Sequence, residues 1–325
     1  MQLTNRRILI TGGAGFIGAN LCRAFVEQNE VICLDNLITG KLSNIKPLLK
    51  NSNFRFIEGD IRNAETCREA LFGVDVVLHQ AALGSVPRSI NNPTLTNAIN
   101  IDGFLVVLDE AVKAGVPRFV YAASSSTYGD STELPKVESR IGKPLSPYAV
   151  TKYVNELYAD VFHRLHGIEV IGLRYFNVFG RLQDPNGAYA AAIPKFIRAL
   201  MHRESPEIYG DGEQTRDFTY IDNVIQANDL AATVQNAKAL NQVYNIAYGC
   251  STSLNTLAYT LKDLLSAYDP GIGEVEIKYG PPRVGDIRDS LASIEKAKEQ
   301  LGYHPDYSLQ SGLNKAIAWY WEHLR

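Results

Sequence analysis

"ILITGGAGFIGANL", residues 8–21, is the stretch on which the fold turns. Ile8 to Thr11 form a short run rich in isoleucine. Gly12, Gly15 and Gly18 follow at three-residue intervals, and apolar residues then recur at a helical period. A strand, a tight turn and the start of a helix therefore lie within one short segment, the opening of a βαβ unit. Glycines let the backbone turn sharply and approach a pyrophosphate, whose charge meets the positive end of the helix. A tight turn without a ligand has the same look, so a second feature has to decide. Asp35 supplies it, closing the next apolar run in "VICLDN" (31–36). A carboxylate there accepts hydrogen bonds from ribose hydroxyls and repels a 2'-phosphate, and no arginine directly follows it, so NAD is expected rather than NADP.

The expected cofactor contacts extend outward from that turn. Phe16 and Ile17 lie inside it, and Asn36 and Gly40 follow Asp35. Asp60 and Ile61 close the third apolar run, Gln80, Ala81 and Ala82 the fourth, and Tyr175 ends the sixth. Those runs, RRILIT, EVICLDN, FRFIEGD, VDVVLHQAA, RFVYAASS and IEVIGLRYF, alternate with helix-period segments. The alternation predicts an α/β fold, a Rossmann-type doubly wound parallel sheet with ligands at the carboxyl ends of its strands. After residue 176 the rhythm turns irregular. "AAIPKFIRALMHR" reads as a helix, "EIYGDGEQTRDFTYI" as a strand, a glycine turn and a second strand, and "QVYNIAY" as a strand. Two helices with polar caps follow, "SLNTLAYTLKDLLSAY" and "SLQSGLNKAIAWYWEHL". The expected division is a dinucleotide-binding domain over 1–176, with a return segment near 217–248. A smaller substrate-binding lobe takes 177–216 and 249–325, with the substrate between the two.

Composition narrows the function. The 325 residues are 46% hydrophobic and 21% charged, with a net charge of -3. That balance gives no basic field for nucleic acid and no attraction to an anionic membrane. No apolar run is long enough to span a bilayer, and the N-terminus enters a strand pattern directly, without the apolar segment of a signal peptide. Cys22, Cys33, Cys67 and Cys250 are scattered, and the six histidines form no metal-binding spacing. A cytoplasmic enzyme without a metal is expected.

The chemistry should lie in two further stretches. "YAASSSTYGD" (121–130) brings Ser124, Ser125 and Ser126 to the end of the fifth strand, where a run of hydroxyls is costly to bury without partners. "SPYAVTKYVNE" (146–156) starts a helix at Pro147 and aligns Tyr148 with Lys152 on one face. That pair also arises by chance on exposed helices. A tyrosine is a poor base near neutrality, with an ordinary pKa of about 10. A nearby ammonium and the charge of an oxidised nicotinamide would lower that value, and a serine adds a hydrogen bond to the reacting oxygen.

Together "GGAGFIG" (12–18), "SSSTYGD" (124–130), "SPYAVTK" (146–152) and "RYFNVFG" (174–180) resemble the extended, nucleotide-sugar-modifying branch of the short-chain dehydrogenase/reductase superfamily, over essentially the whole chain. The resemblance implies that Tyr148 is the acid/base, Lys152 its helper and ribose ligand, and Ser124 the catalytic serine, with Ser125 and Ser126 beside it. Related 4,6-dehydratases carry an Asp-Glu pair where this chain has Ser125 and Ser126, which favours oxidation and reduction at C4, an epimerase. Resemblance to the UDP-galactose-type epimerases assigns Asn177 to the diphosphate. It assigns Arg216, in "GDGEQTRDF", and Arg283 with Asp286, in "PPRVGDI", to phosphate and nucleoside, with Tyr209 close by. Ser290 stands where glucose-restricted relatives have a tyrosine, leaving room for an acetamido group. "ALGSVPRSINNP", with Ser85 and Arg88, resembles the UDP-N-acetylglucosamine 4-epimerases of O-antigen pathways. The implied activity is interconversion of UDP-GlcNAc and UDP-GalNAc. UDP-Glc/UDP-Gal or uronate epimerases and a dehydratase or decarboxylase are the alternatives. A dinucleotide-sensing binding protein is the non-enzymatic one, though such proteins commonly lose the Tyr or the Lys. The family also implies a homodimer through the "TNAINIDGFLVVLDEAVKAG" helix and the Tyr148 helix.

Overall fold

A computed structural model describes residues 2–186, 190–282 and 288–324. Its centre is a seven-stranded sheet in which every pairing is parallel. The strands are β1 (Arg7–Thr11), β2 (Glu30–Asp35), β3 (Phe54–Glu58), β4 (Val76–His79), β5 (Arg118–Ser124), β6 (Glu169–Tyr175) and β7 (Gln242–Ile246). Their order across the sheet is β7-β6-β5-β4-β1-β2-β3. The chain winds outward from β1 to β3, returns to lay β4 on the other side of β1, and winds outward again. This reversal opens a crevice at the carboxyl ends of β1 and β4, the place where a doubly wound sheet binds its ligand.

Strand periodicity explains why both faces are covered. In β1 and β2, Ile8, Ile10, Val31 and Cys33 pack into the core on one side, and Leu9, Ile32 and Leu34 into the core on the other. Every residue of β5 is buried. A strand buried on both faces reads as a continuous apolar run, as these do.

The helix Pro147–His166 begins as its sequence predicts. Ser146 caps it by accepting from the Ala149 amide at 3.1 Å, Pro147 occupies the first turn, and Gly167 ends it at φ 74°. Ala149, Lys152, Asn155, Glu156 and Ala159 face inward. Val150, Leu157, Val161 and Leu165 lie on the outside, exposed.

One expectation needs correction, and one stretch pairs in a way its sequence does not show. The "EIYGDGEQTRDFTYI" stretch forms the expected strand, glycine turn and second strand, but these two strands do not pair with each other. Glu207–Tyr209 pairs in parallel with Lys278–Gly280, while Thr215–Asp217 pairs antiparallel with Ser251–Ser253. Gly210 and Gly212 both take positive φ, and the Gln214 amide donates to the Tyr209 carbonyl at 2.6 Å. The chain is thereby swung away instead of folding back on itself. The helix expected over 96–115 is interrupted: Pro93–Asn97 is α-helical, Ala98–Gly103 forms a π turn, and Phe104–Lys113 is α-helical again. The π turn carries Asn100, whose side chain is fully engaged at the site below.

Beyond β6 the helices Ala192–Met201, Leu254–Ser266 and Leu309–His323 pack with the short strands. Among the described residues no helix is long and apolar enough to cross a membrane.

Candidate active site

The glycine turn is built by steric necessity. Gly12 sits at φ 67°, and a Cβ there would lie 2.7 Å from the backbone of Ala81. A Cβ on Gly18 would lie 2.1 Å from the Gly12 carbonyl oxygen. The helix Phe16–Phe25 starts at Gly15 with no side chain capping it, so its first amides are left for another acceptor. In front of it opens a cavity of about 270 Å³. Gly12, Gly15, Phe16, Ile17, Gly18, Asp35, Asn36, Ile61, Gln80, Ala81 and Ala82 all line it, as expected from sequence. Ile38, Thr39, Leu83 and Ile99 line it too, and no motif announced them. A cradle of glycines, two small alanines and a strand-end carboxylate fits a dinucleotide.

Asp35 accepts from the amides of Ala14 at 2.9 Å and Leu37 at 2.8 Å. Burial raises its pKa, and those amides pull the other way. Gly40 packs against this carboxylate, with room for no side chain. Asp60 stands one layer out, accepting from Asn36 at 2.9 Å, and its hydrogen-bonded partner Arg62 holds it down to about 2. Tyr175 also lies outside the cavity lining: its hydroxyl donates to Gln80 at 3.3 Å and accepts from Asn228 at 2.9 Å. The effect is to orient Gln80, which does line the cavity.

Ser124 ends β5 and caps the turn Ser125–Tyr128, accepting from the Ser126 amide at 3.2 Å and the Ser126 hydroxyl at 2.9 Å. Ser125 opens that turn, half-buried. Ser124 is also the side chain that pulls the Tyr148 pKa down. Lys152, buried in the same helix, donates to the Ala122 carbonyl at 2.7 Å, and burial lowers its pKa to about 8 against the pull of Glu156. Burial raises the Tyr148 pKa, and Ser124 opposes that rise. One donor of the Lys152 ammonium goes to a main-chain oxygen of the adjoining strand.

Asn100 is the residue that sequence reasoning missed. Its side chain accepts from the Leu83 amide at 2.7 Å and donates to the Leu83 carbonyl at 3.2 Å and the Thr151 hydroxyl at 3.0 Å. It thus joins the cavity wall to the Tyr148 helix. Nothing in its sequence neighbourhood marks a π turn.

A second cavity, about 410 Å³, lies between Lys195, Phe196, Tyr209, Gln214 and Leu254. A wide cleft of about 840 Å³ joins the two: it shares Gly15, Phe16 and Gly84 with the first, and Pro185, Asn186 and Ala190 with the second. Arg88 lines this cleft, on a short helix capped by Ser85, which accepts from the Arg88 amide at 3.2 Å. Ser85 takes φ 140°, a rare conformation for a residue other than glycine. Asn177 is exposed at φ 33° and donates to the Asp217 carbonyl at 3.0 Å. The Arg216 guanidinium donates to the carbonyls of Thr215 at 2.8 Å and Arg288 at 3.1 Å. Ser290 is half-buried, next to Asp289, which accepts from the Thr215 hydroxyl at 2.8 Å. Arg283 and Asp286 lie outside the described residues.

Residues 8–247 match the NAD dependent epimerase/dehydratase family. The chain belongs to that family. Its cofactor is accordingly NAD, and the cradle described above fits it. The chain resembles a UDP-N-acetylglucosamine 4-epimerase from Methanobrevibacter ruminantium in complex with UDP-N-acetylmuramic acid, with a TM-score of 0.92 and 37% identity over 98% of this chain and 99% of that one. It resembles a UDP-glucose 4-epimerase with UDP-glucose from Thermotoga maritima, with a TM-score of 0.89 and 37% identity over 98% and 100%. It is also 31% identical to a UDP-glucuronate 4-epimerase of Thermodesulfobacterium geofontis over 97% of this chain and 96% of the relative. In fold and family it is a UDP-sugar 4-epimerase homologue.

Proposed function

We propose that this member of the family interconverts UDP-GlcNAc and UDP-GalNAc through a transient 4-keto sugar, with the cofactor ending as it began. The observation that carries the C4 reaction is the docking of the Tyr148 helix on β5 through Lys152 and Ala122, which brings Tyr148 to the strand end at Ser124, flanked by Ser125 and Ser126 rather than by carboxylates. Gly12, Gly15, Gly18, Asp35 and Gln80 would hold NAD, which would supply hydride transfer at C4. Tyr148 takes the O4 proton and later gives it back, and Ser124 holds O4 beside the phenol. Lys152, fixed on Ala122, sits on the inward face of the same helix, where it can also meet the nicotinamide ribose. Removal of water at C5 and C6 would need an acid and a base that Ser125 and Ser126 do not supply, which argues against a dehydratase.

Asn177 and Arg216, with Arg283 and Asp286, would hold the diphosphate and nucleoside, with Tyr209 on the wall of the lobe cavity. Ser85, Arg88, Ser125, Ser126 and Ser290 would face the hexose. The preference for an acetamido sugar rests on the small Ser290 and on the similarity to the Methanobrevibacter ruminantium enzyme. UDP-Glc/UDP-Gal is the second reading, favoured by the similarity to the Thermotoga maritima enzyme, and uronate sugars a third.

Ser290→Tyr tests the assignment. A bulky ring there is expected to lower kcat/KM for UDP-GlcNAc by about 10²-fold or more while UDP-Glc changes by only a few-fold. Equal effects on both sugars would contradict it. The exposed apolar stripe on the Tyr148 helix supports a homodimer.

A further inference from the structure

Asn245 is wholly buried, at the end of β7, and touches neither cavity. Its amide is nevertheless fully committed. The side-chain oxygen accepts from the Tyr128 hydroxyl at 2.6 Å. The side-chain nitrogen donates to the carbonyls of Lys136 at 2.9 Å and Ser293 at 3.0 Å. Tyr128 is the last residue of the turn that begins at Ser125 and is capped by Ser124. Ser293 lies three residues beyond Ser290.

The segment around Ser293 is also held through its main chain. The Leu291 carbonyl accepts from the Lys136 amide at 2.7 Å, and the Ser293 amide donates to the Lys136 carbonyl at 2.9 Å. The Ala292 amide donates to the buried Asp217 at 3.2 Å, and Asp217 follows Arg216 directly. The loop from the serine turn to the Tyr148 helix is therefore clasped to the segment carrying Ser290. Among the described residues, Asn245 is the side chain whose bonds reach the serine turn, that loop and that segment together.

We propose that Asn245 is a positioning residue that couples the substrate-holding segment to the serine turn, so that a nucleotide in the lobe and the orientation of Ser124 toward Tyr148 depend on each other. A primary amide suits the task, because one group has to accept from a phenol and donate to two carbonyls. An isosteric carboxylate can do only the first. A network of this kind, shut away from water, responds as a unit when one member is lost.

The substrate-segment role of Ser290 rests on the function proposed above, so the test includes a reading that needs no turnover. Tyr128→Phe removes the phenol's hydrogen bond and keeps the ring, and Asn245→Asp removes the two donations and keeps the volume. Each is made in the full chain with NAD bound, and UDP affinity is measured by calorimetry beside kcat for UDP-GlcNAc and UDP-Glc. Coupling is reciprocal, so Tyr128→Phe should weaken UDP binding by about threefold to tenfold although Tyr128 lines no part of the lobe cavity. Both variants should lower kcat by about tenfold, and the double variant should lose no more than either alone. Unchanged UDP affinity in Tyr128→Phe, or effects that multiply in the double variant, would overturn the proposal. If Asn245→Asp does not fold, Tyr128→Phe alone carries the binding test. A wild-type protein that binds UDP yet turns over no UDP-hexose would instead defeat the function, and the UDP affinities would still decide the coupling.

Discussion

The Lys152 ammonium donates to the Ala122 carbonyl at 2.7 Å, which fastens the Tyr148 helix to β5 two residues before Ser124. A buried cation needs such a partner, and this one is main chain, so its position is set by the sheet rather than by a mobile side chain. The phenol and the serine that face each other thus come from two elements riveted at one point. Asn100 ties the same helix to the cofactor cavity through Thr151 and Leu83. The proton transfer proposed for Tyr148 would thus start from a geometry set by the fold itself.

Tyr148→Phe is expected to keep the fold and the bound NAD while lowering turnover by at least about 10²-fold, the usual scale for losing a general acid/base. Turnover and NAD content of the purified variant check this together. Full activity would remove Tyr148 from the mechanism.

His79 gives a pH dependence with a definite sign. It is buried at the end of β4 with its Nδ1 against the Thr11 hydroxyl at 3.0 Å; burial, then the Lys152 charge, lowers its pKa from 6.5 to about 3. Between those values the unfolded chain takes up a proton that the folded chain refuses. Its contribution is therefore intact above pH 6.5 and is lost as the pH falls toward about 3. Urea unfolding over that range should show the wild type losing up to about 1.4 kcal/mol per pH unit more than His79→Asn. Parallel curves would mean that His79 is protonated in the folded protein.

Val150, Leu157, Val161 and Leu165 form an exposed stripe along the Tyr148 helix, with Leu165 71% exposed. Their spacing of seven, four and four residues keeps them on one face. A stripe of this kind is expected to be covered by a second copy. Leu157→Glu combined with Val161→Glu should convert a dimer into a folded monomer in sedimentation experiments. A monomeric wild type would contradict the assignment.

Much of this was legible in the sequence, and the reasons are local. The glycine turn is dictated by contacts within a few residues and by Ala81, so its spacing alone announces it. The Tyr148 helix declares its start through Ser146 and Pro147. The parallel sheet follows from apolar runs buried on both faces. What sequence reading missed depends on partners far along the chain. The lobe strands span two or three residues, too few for a period to register, and the partners of the "EIYGDGEQTRDFTYI" strands lie at Lys278–Gly280 and Ser251–Ser253. The π turn carries Asn100, which meets Leu83 and Thr151, and Asn245 meets Tyr128 and Ser293. Lys152 lies where its spacing predicts, and its bond to Ala122 depends on how the helix docks on β5.

The most direct measurement is to incubate the purified protein with UDP-GlcNAc, and separately with UDP-Glc, without added reductant, and to follow the products by NMR. The account predicts that UDP-GalNAc forms, that UDP-Gal forms slowly or not at all, and that no cofactor is consumed. A stable 4-keto-6-deoxy sugar, or no interconversion of any UDP-hexose, would contradict it.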